Sequence, residues 1–400
     1  MTGLAKSNNK RHDVNKSSSP PPARHWLEAW HVDPSANRNF DFIDGLRGVA
    51  ILMVVVCHYL YFRDSGTVAN RFLHNFLGNF GRGVDLFFTL SGFLISWPFW
   101  KRKVSRAEQI VPPGYGWRRF WKIYPPLALS ILVLTPCSIL WLGQAPQFIR
   151  TALQWLTGLA FLMPVSDRLN PVMWSLVVEI HFYLVLPLLF LLTKPLTART
   201  CLWVISLFLF AVPVLIQSLT GLGPTFSPEI NDPFFTGLSC FCLGVGLAGC
   251  DNLKFWHQRW GRLGDVGWYL MLGGLAGLAW VSLNPEAHGV RLPQVFHLTF
   301  FLGTGCLLCY ATDPQNPRAR WLCAPWLRWC GIISYEWYLF HQPMIAWSRE
   351  LAGPAGGGIL KYLFIIGVPL VVGVTFSALV YRKFSLPILK YGRARNRRPA

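Results

Sequence analysis

The stretch DGLRGVAILMVVVCHYLYF, residues 44–62, decides the fold class, because it is an apolar run of membrane length with charge at one end. A helix needs about 20 predominantly apolar residues to cross the hydrocarbon core of a bilayer. Asp44 and Arg47 stand at one end of the run. His58 lies eleven residues beyond the arginine, on the order of 16 Å along a helix and about halfway across the core. Ionisable side chains at that depth mark functional sites, although a histidine also packs there by hydrogen bonding to a neighbouring helix.

The composition of the 400-residue chain extends this interpretation to the whole sequence. Hydrophobic types make up 52% and charged residues only 14%, whereas about a quarter of a soluble domain is charged. The net charge of +19 comes from basic residues clustered between apolar runs, which is typical of a polytopic membrane protein and not of a nucleic-acid-binding surface. The ten cysteines show no metal-ligand pattern with partner ligands, so no metal site is predicted.

Apolar segments of membrane length recur along the chain and predict an all-α integral membrane protein with about ten transmembrane helices. The predicted helices occupy residues 44–63, 82–100, 121–142, 172–193, 201–220, 233–250, 266–283, 294–311, 331–349 and 359–381. A shorter apolar run at 147–164 is interpreted as an interfacial or re-entrant segment.

The basic residues predict the orientation of these helices. With ten spans, 29 of the 37 Lys and Arg residues lie on the side of the two chain termini, which predicts that both termini are cytoplasmic. An eleventh span at 147–164 would place the basic C-terminal residues outside. The predicted organisation is therefore a disordered cytoplasmic tail at 1–38, a transmembrane domain at 39–384 and a basic cytoplasmic tail at 385–400.

Few ionisable residues fall inside the predicted spans, and these are the candidates for a site. They are His58, Asp85, Glu179, His181, His297, Glu336 and His341. A neutral imidazole can accept a proton near neutral pH, whereas a buried carboxylate can also be a structural partner of Ser, Tyr or Arg on another helix.

At the inner helix ends, Arg47 and the cluster Arg118, Arg119 and Lys122 either extend to lipid phosphates or hold a phosphate of an anionic ligand. The glycines that flank Arg47 favour the ligand, because they permit close approach to the backbone.

Five short blocks occur in order between residues 42 and 343: FIDGLRGVAILMVVVCHYLYF, GVDLFFTLSGFLIS, RRFWKIYPP, WSLVVEIHFYLVLP and ISYEWYLFHQP. Together they resemble the acyltransferase-3 family of integral-membrane acyltransferases. Members of this family transfer an acyl group, often acetyl from cytosolic acetyl-CoA, to hydroxyl groups of surface or exported glycans, and some act on lipids, peptidoglycan or macrolides. The resemblance implies an acyl-CoA donor substrate and no permanently bound cofactor. It also implies a glycan or lipid-linked acceptor, contact with membrane lipid, no nucleic acid, and a multi-pass position in the bacterial inner membrane.

The resemblance further implies roles for individual residues. The catalytic residues would be His58, as a general base or as an acyl carrier, and Glu179. The residues that bind the donor would be Arg47, Arg118, Arg119 and Lys122, although the family usually has Arg at the position of Lys122. The residues that bind the acceptor would be Asp85, Trp174, Ser175 and His341. The alternative function is a transporter of a glycan, a lipid or a proton-coupled solute, but the two halves of the chain lack the similarity that transporters often show.

Overall fold

The computed structural model describes residues 41–61, 71–142, 145–158, 169–202, 204, 232–252, 260–284, 292–312, 317–352 and 359–396. Within these residues every regular element is a helix and no strand is present, so the predicted all-α class is confirmed. Nine of the ten predicted segments coincide with a helix. The tenth, at 201–220, lies almost wholly outside the described residues, as does the predicted tail at 1–38.

Thirteen α-helices are described, numbered here in chain order. They are α1 Asp41–Tyr61, α2 Arg71–Gly78, α3 Gly83–Val104, α4 Tyr115–Leu142, α5 Ala145–Leu156, α6 Trp174–Leu192, α7 Asp232–Asn252, α8 Trp260–Leu283, α9 Leu292–Leu308, α10 Pro325–Ile332, α11 Ser334–Ala352, α12 Ile359–Val380 and α13 Leu386–Asn396. Short 3-10 turns connect several of them, and a single π-helical turn, Tyr381–Ser385, joins α12 to α13.

Five described helical stretches are long and apolar enough to cross a membrane. They are Phe42–Tyr59, Tyr115–Leu140, Pro171–Leu192, Arg262–Leu283 and Phe364–Ala394. Their length and composition are those of a membrane protein. The total of ten spans and the cytoplasmic position of both termini remain predictions.

The apolar run at 147–164 forms a short helix over part of its length. Helix α5, Ala145–Leu156, has 12 residues, which corresponds to about 18 Å and is too short to cross the core. It packs on α4, and Trp155 is buried in a cluster to which both helices contribute. Residues 159–168 lie outside the described residues, so the interfacial or re-entrant course of the whole run remains a prediction.

Small residues let the central helices touch backbone to backbone, as is usual between membrane helices. Where α3 crosses α7, a Cβ atom on Gly92 would lie 2.1 Å from the carbonyl oxygen of Phe241. A Cβ atom on Gly244 would lie equally close, at 2.1 Å, to the carbonyl oxygen of Thr89. The crossing therefore depends on two glycines, one from each helix, and it fixes the position of α3.

The glycines beside Arg47 serve the same purpose. A Cβ atom on Gly45 would lie 2.0 Å from the carbonyl oxygen of Leu322, and one on Gly48 would lie 2.1 Å from that of Leu327. These two positions on α1 thus face the backbone of the 3-10 turn before α10 and of the first turn of α10. The expectation that the glycines admit a ligand is wrong, because their open face is already occupied by the neighbouring segment.

Candidate functional site

A cavity of about 460 Å³ lies between α1, α3, α4, α6, α11 and α13, a volume typical of ligand-binding pockets. It is called the basic cavity below. Six of the ten residues predicted for the site line it: Arg47, Arg118, Arg119, Lys122, Ser175 and Glu179. The other four, His58, Asp85, Trp174 and His341, lie outside its lining as the described residues form it. The structure therefore gathers all four predicted donor-binding cations around one space.

Arg47 is held in place by the first residue of α11. Its Nη2 atom donates a hydrogen bond to the Oγ atom of Ser334 at 3.0 Å, and both residues line the basic cavity. A guanidinium group has five N–H donors, so this bond orients the side chain and leaves donors that can face a ligand. The position suits a planar anionic group such as phosphate.

The basic residues of α4 are arranged on the adjacent wall. The guanidinium of Arg119 lies over the rings of Tyr115 and Tyr183, 5.9 and 5.7 Å from their centroids. Its Nε atom is buried and makes no hydrogen bond to any described residue. Arg118 and Lys122 are four residues apart, so they project from one face of the helix. Aromatic stacking thus fixes Arg119, whereas its neighbours bring further positive charge to the cavity.

The charges around the basic cavity do not balance. Among the described residues, five cations line it, namely Arg47, Arg118, Arg119, Lys122 and Arg393, against the three carboxylates Asp44, Glu179 and Glu336. The formal excess is two positive charges. Because charge is poorly screened away from bulk water, such a cavity attracts an anion.

Three of these charged residues, Asp44, Glu336 and Arg393, were not assigned a role from the sequence. Arg393 lies on α13, inside the segment predicted to be a separate tail. Glu336 was recognised as a buried ionisable residue, and in the structure it is 3% exposed, with an Oε2 atom that finds no hydrogen-bond partner among the described residues. A carboxylate oxygen in that situation is available to a ligand donor or to a nearby cation.

His58 and His341 form a hydrogen-bonded pair outside the cavity lining. The Nε2 atom of His341 lies 3.2 Å from the Nδ1 atom of His58, and the ring centroids are 4.9 Å apart. Each Nδ1 atom also faces a backbone carbonyl oxygen, that of Val54 for His58 and that of Tyr338 for His341, both at 2.8 Å. The pair joins α1 to α11.

The hydrogen-bond pattern assigns the tautomers of the two rings. A carbonyl oxygen only accepts, so His341 carries its proton on Nδ1 and offers Nε2 as an acceptor. By the same argument His58 carries its proton on Nδ1, which is shared between the carbonyl oxygen of Val54 and the Nε2 atom of His341. The Nε2 atom of His58 is therefore unprotonated. That nitrogen can take a proton or attack a carbonyl carbon.

His58 lies near one end of the described part of its helix. Helix α1 begins at Asp41, three residues before the predicted start, and its described part ends at Tyr61. His58 is in the last described turn, and its depth of about halfway across the hydrocarbon core remains a prediction. Arg47 lies near the other end, so the two residues mark opposite ends of α1, with a separation on the order of 16 Å.

Tyr338 stands between the basic cavity and the histidine pair. Its side chain lines the cavity, and its ring centroid lies 5.7 Å from that of His341. Its hydroxyl donates to the carbonyl oxygen of Val172 at 2.9 Å and lies 2.8 Å from the Oγ atom of Ser175. Tyr338 therefore contacts both the cavity and the histidine pair.

Glu179 lies in the basic cavity and not beside His58. Its Oε1 atom accepts a hydrogen bond from the hydroxyl of Tyr183, the same tyrosine that stacks under Arg119. The carboxylate also lies within electrostatic reach of Lys122. The two predicted catalytic residues therefore belong to different parts of the site, and a catalytic role for Glu179 remains a prediction.

Asp85 and Trp174, predicted to bind the acceptor, have partners elsewhere. Asp85 accepts a hydrogen bond from Arg82 at 3.1 Å in the first turn of α3, on the face of that helix that includes Gly92 and turns towards α7. Trp174 packs edge-on against Phe88, with ring centroids 6.1 Å apart, and Phe88 in turn lines the cavity. Among the described residues, no three His, Cys, Asp or Glu side chains come together as metal ligands.

Comparisons with known proteins identify the family of the chain. The sequence model of the acyltransferase-3 family, described as "Acyltransferase domain", matches residues 40–380. O-acetyltransferase OatA of Staphylococcus aureus (strain NCTC 8325 / PS 47) is 23% identical over 372 residues, which cover 88% of this chain and 57% of OatA. OatA of strain COL gives the same values. This chain thus spans less than two thirds of the length of these relatives, and no solved structure matches it. With most of its length matched by the family model, the chain belongs to the acyltransferase-3 family of membrane acyltransferases.

Proposed function

We propose that the protein is a membrane O-acetyltransferase. It takes an acyl group, most simply acetyl, from a cytosolic acyl-CoA and transfers it to a hydroxyl group of a glycan or another exported or surface acceptor. The observation that carries this proposal is the basic cavity, which places five cations around one space. Membership of the family and the name of OatA support the acyl-transfer chemistry.

The donor is proposed to bind through its phosphates. CoA carries a diphosphate and a separate 3′-phosphate, and arginine side chains bind phosphate through paired N–H donors. Arg47 is oriented by Ser334, and Lys122 lies within electrostatic reach of Arg47 and Arg119. These three cations suit the diphosphate. The cytosolic origin of acyl-CoA places this end of the cavity at the cytoplasmic face.

Two contacts between α1 and α11 support a proposed direction for the donor. Arg47 contacts Ser334 at one end, and His58 contacts His341 at the other. A donor held by its phosphates near Arg47 extends its pantetheine arm towards Tyr338. The thioester then approaches the histidine pair, while the acceptor hydroxyl reaches it from the opposite side.

The chemistry is proposed to occur at the Nε2 atom of His58. As a general base, this nitrogen takes the proton of the acceptor hydroxyl while the hydroxyl oxygen attacks the thioester carbonyl. The carbon–sulfur bond breaks, an ester bond forms, and the CoA thiolate receives the proton. As an acyl carrier, the same nitrogen attacks the thioester carbonyl first, and the carbon–sulfur bond breaks to release CoA, whose thiolate takes a proton from the ring. The acceptor hydroxyl then attacks the acyl-imidazole, the nitrogen–acyl bond breaks, and the hydroxyl proton returns to the ring. The tautomer of His58 supports both routes.

The direct test measures donor binding by the purified full-length chain in detergent or nanodiscs. Calorimetry with acetyl-CoA and with S-acetylpantetheine, which lacks the phosphates, compares the two ligands. We expect acetyl-CoA to bind at least a hundredfold more tightly, because several charged hydrogen bonds form only with the phosphates. Release of CoA on addition of a glycan-containing membrane fraction then reports transfer. A folded protein that binds neither ligand, or both equally, would contradict the proposal.

The protein is also proposed to be a multi-pass protein of the bacterial inner membrane with both termini in the cytoplasm. The distribution of basic residues supports this orientation. Reporter fusions after Pro399 and within 194–199 should both report the cytoplasm. A periplasmic signal at the C-terminus would reverse the assignment and remove the cation cluster from the side of the donor.

A further inference from the structure

The C-terminal helix α13 is part of the wall of the basic cavity. Residues Leu389, Gly392 and Arg393 of this helix line the same space as Arg47 and Lys122. Helix α13 lies beyond residue 380, where the match to the family model ends. The family domain therefore does not account for this side of the cavity.

Helix α13 is held against the bundle by specific packing. Leu386 is buried in a cluster with Ile333 and Tyr381. Further along, a Cβ atom on Gly392 would lie 2.8 Å from the Cδ1 atom of Trp121, and the ring of Tyr391 packs edge-on against that of Trp121 with centroids 5.8 Å apart. The absence of a side chain at Gly392 brings α13 close to α4. This close approach places Arg393 near the basic residues at the start of α4.

The cations around the cavity fall into two groups. The inner group is Arg47, Arg119 and Lys122. Lys122 lies within electrostatic reach of both arginines and of Glu179 and Glu336, so carboxylates partly offset the positive charge there. Arg118 lies within reach of Arg119 and Arg393, both of which repel it. Arg393 is exposed, whereas Arg118 is partly buried. Arg118 and Arg393 thus bring positive charge to the exposed part of the cavity, where it can stabilise a bound anion.

We infer that Arg393 of α13, together with Arg118, binds the 3′-phosphate of the CoA moiety and so makes α13 part of the donor site. This inference rests on the proposed function. The 3′-phosphate lies on the adenosine, at the end of CoA opposite to the thioester. A donor whose thioester points towards Tyr338 must therefore place its adenosine at the rim, where Arg118 and Arg393 stand. The inner group remains for the diphosphate.

The experiment compares acetyl-CoA with 3′-dephospho-acetyl-CoA as ligands of the full-length protein in detergent without phospholipid. Wild-type protein should bind acetyl-CoA about tenfold more tightly, the scale of a charged hydrogen bond at an exposed site. In Arg393→Ala this preference should fall to about twofold or less, because only the ligand with the 3′-phosphate loses a contact. Arg393→Lys should restore part of it. Lys390→Ala is the matched control, since Lys390 is an exposed cation of the same helix that does not line the cavity as described.

Each outcome has a defined meaning. Loss of the preference in Arg393→Ala, with the preference retained in Lys390→Ala, supports the inference. Equal weakening of both ligands, an unchanged preference, or a wild type without any preference overturns it and leaves the donor proposal intact. Wild-type protein that binds neither ligand refutes the proposed function itself. The same measurements in nanodiscs of phosphatidylglycerol test whether Arg393 binds a lipid phosphate instead of the 3′-phosphate. In that case Arg393→Ala changes the effect of phosphatidylglycerol on acetyl-CoA binding but leaves the preference for the 3′-phosphate unchanged, which also overturns the inference.

Discussion

The Nε2 atom of His341 accepts a hydrogen bond from the Nδ1 atom of His58 at 3.2 Å, so two histidines 283 residues apart form one unit. This contact explains why a histidine follows an arginine on α1. Arg47 contacts the first residue of α11, and His58 contacts the same helix further along. Helix α11 thus contacts both the cation that is proposed to bind phosphate and the histidine that is proposed to react.

Replacement of His58 by Gln should abolish acyl transfer and leave donor binding intact. A glutamine can hydrogen-bond but cannot take a proton near neutral pH, so turnover should fall about a hundredfold or more. Donor binding should persist, because His58 does not line the basic cavity as described. Steady-state turnover and calorimetry with acetyl-CoA check both expectations. Near-wild-type turnover by His58→Gln would end the assignment of His58 as the reacting residue.

His341 should act by positioning His58. His341→Phe keeps a ring of similar size but removes the acceptor at Nε2, so His58 loses the partner that holds its orientation. We expect kcat to fall about ten- to a hundredfold, as for other small misplacements of a catalytic group, with KM for acetyl-CoA unchanged. His341→Gln, which can place an acceptor near the former Nε2 position, should recover part of kcat.

A purely structural role of His341 would give another pattern. The loss of activity would then follow the fraction of folded protein, and the thermal unfolding temperature would fall in parallel with it. Full kcat in folded His341→Phe protein would show that His58 needs no orienting partner.

Arg47→Ala should weaken acetyl-CoA binding by about 1.5–3 kcal/mol, the scale of hydrogen bonds to a charged group. Arg47→Lys should recover only part of this binding free energy, because an ammonium group lacks the planar pair of N–H donors of a guanidinium. Lys122→Arg should be tolerated, since the family usually has Arg there. Arg262→Ala removes an exposed cation outside the cavity lining and serves as the control. Equal affinities of Arg47→Ala and Arg262→Ala would exclude Arg47 from the donor site.

Glu179→Gln should separate donor affinity from turnover. The glutamine still accepts the hydrogen bond of Tyr183, but it removes a negative charge from a cavity that is to hold phosphates. Acetyl-CoA should therefore bind severalfold more tightly, while turnover falls less than in His58→Gln. Calorimetry and kcat measurements on the two variants test this. Weaker donor binding, or a loss of turnover as large as that of His58→Gln, would assign Glu179 a direct part in the reaction.

The sequence predicts the helices and the cation cluster well, because both depend on local patterns. Apolar runs of membrane length need no tertiary information, and Arg118, Arg119 and Lys122 are neighbours along one helix. The partners of His58 and Arg47 could not be predicted in this way. They depend on how α11 packs against α1, and nothing in the local pattern fixes that contact.

The remaining differences have definite physical causes. The glycines beside Arg47 serve helix packing, which has the same sequence pattern as a close approach of a ligand. Asp85 has a cation three residues away on its own helix, a pairing that the pattern of apolar segments does not show, and its role in acceptor binding remains a prediction. The position of Arg393 in the cavity lining could not be predicted, because its segment has the basic composition of a tail. In the structure, Gly392 allows that segment to pack on Trp121.

The packing of α1 can be tested with two glycine substitutions. A Cβ atom on Gly48 would lie 2.1 Å from the carbonyl oxygen of Leu327, and backbone atoms cannot move aside as a flexible side chain can. Gly48→Ala should therefore destabilise the protein by about 1–3 kcal/mol, as overpacking does, and should lower the thermal unfolding temperature in detergent. Because Gly48 adjoins Arg47, the KM for acetyl-CoA should rise as well.

Gly273→Ala on α8 is the control, since no described heavy atom lies within 4 Å of the added Cβ. That change should be neutral or slightly stabilising, because alanine favours the helix more than glycine does. Equal unfolding temperatures of the two variants would show that α1 does not depend on this close contact.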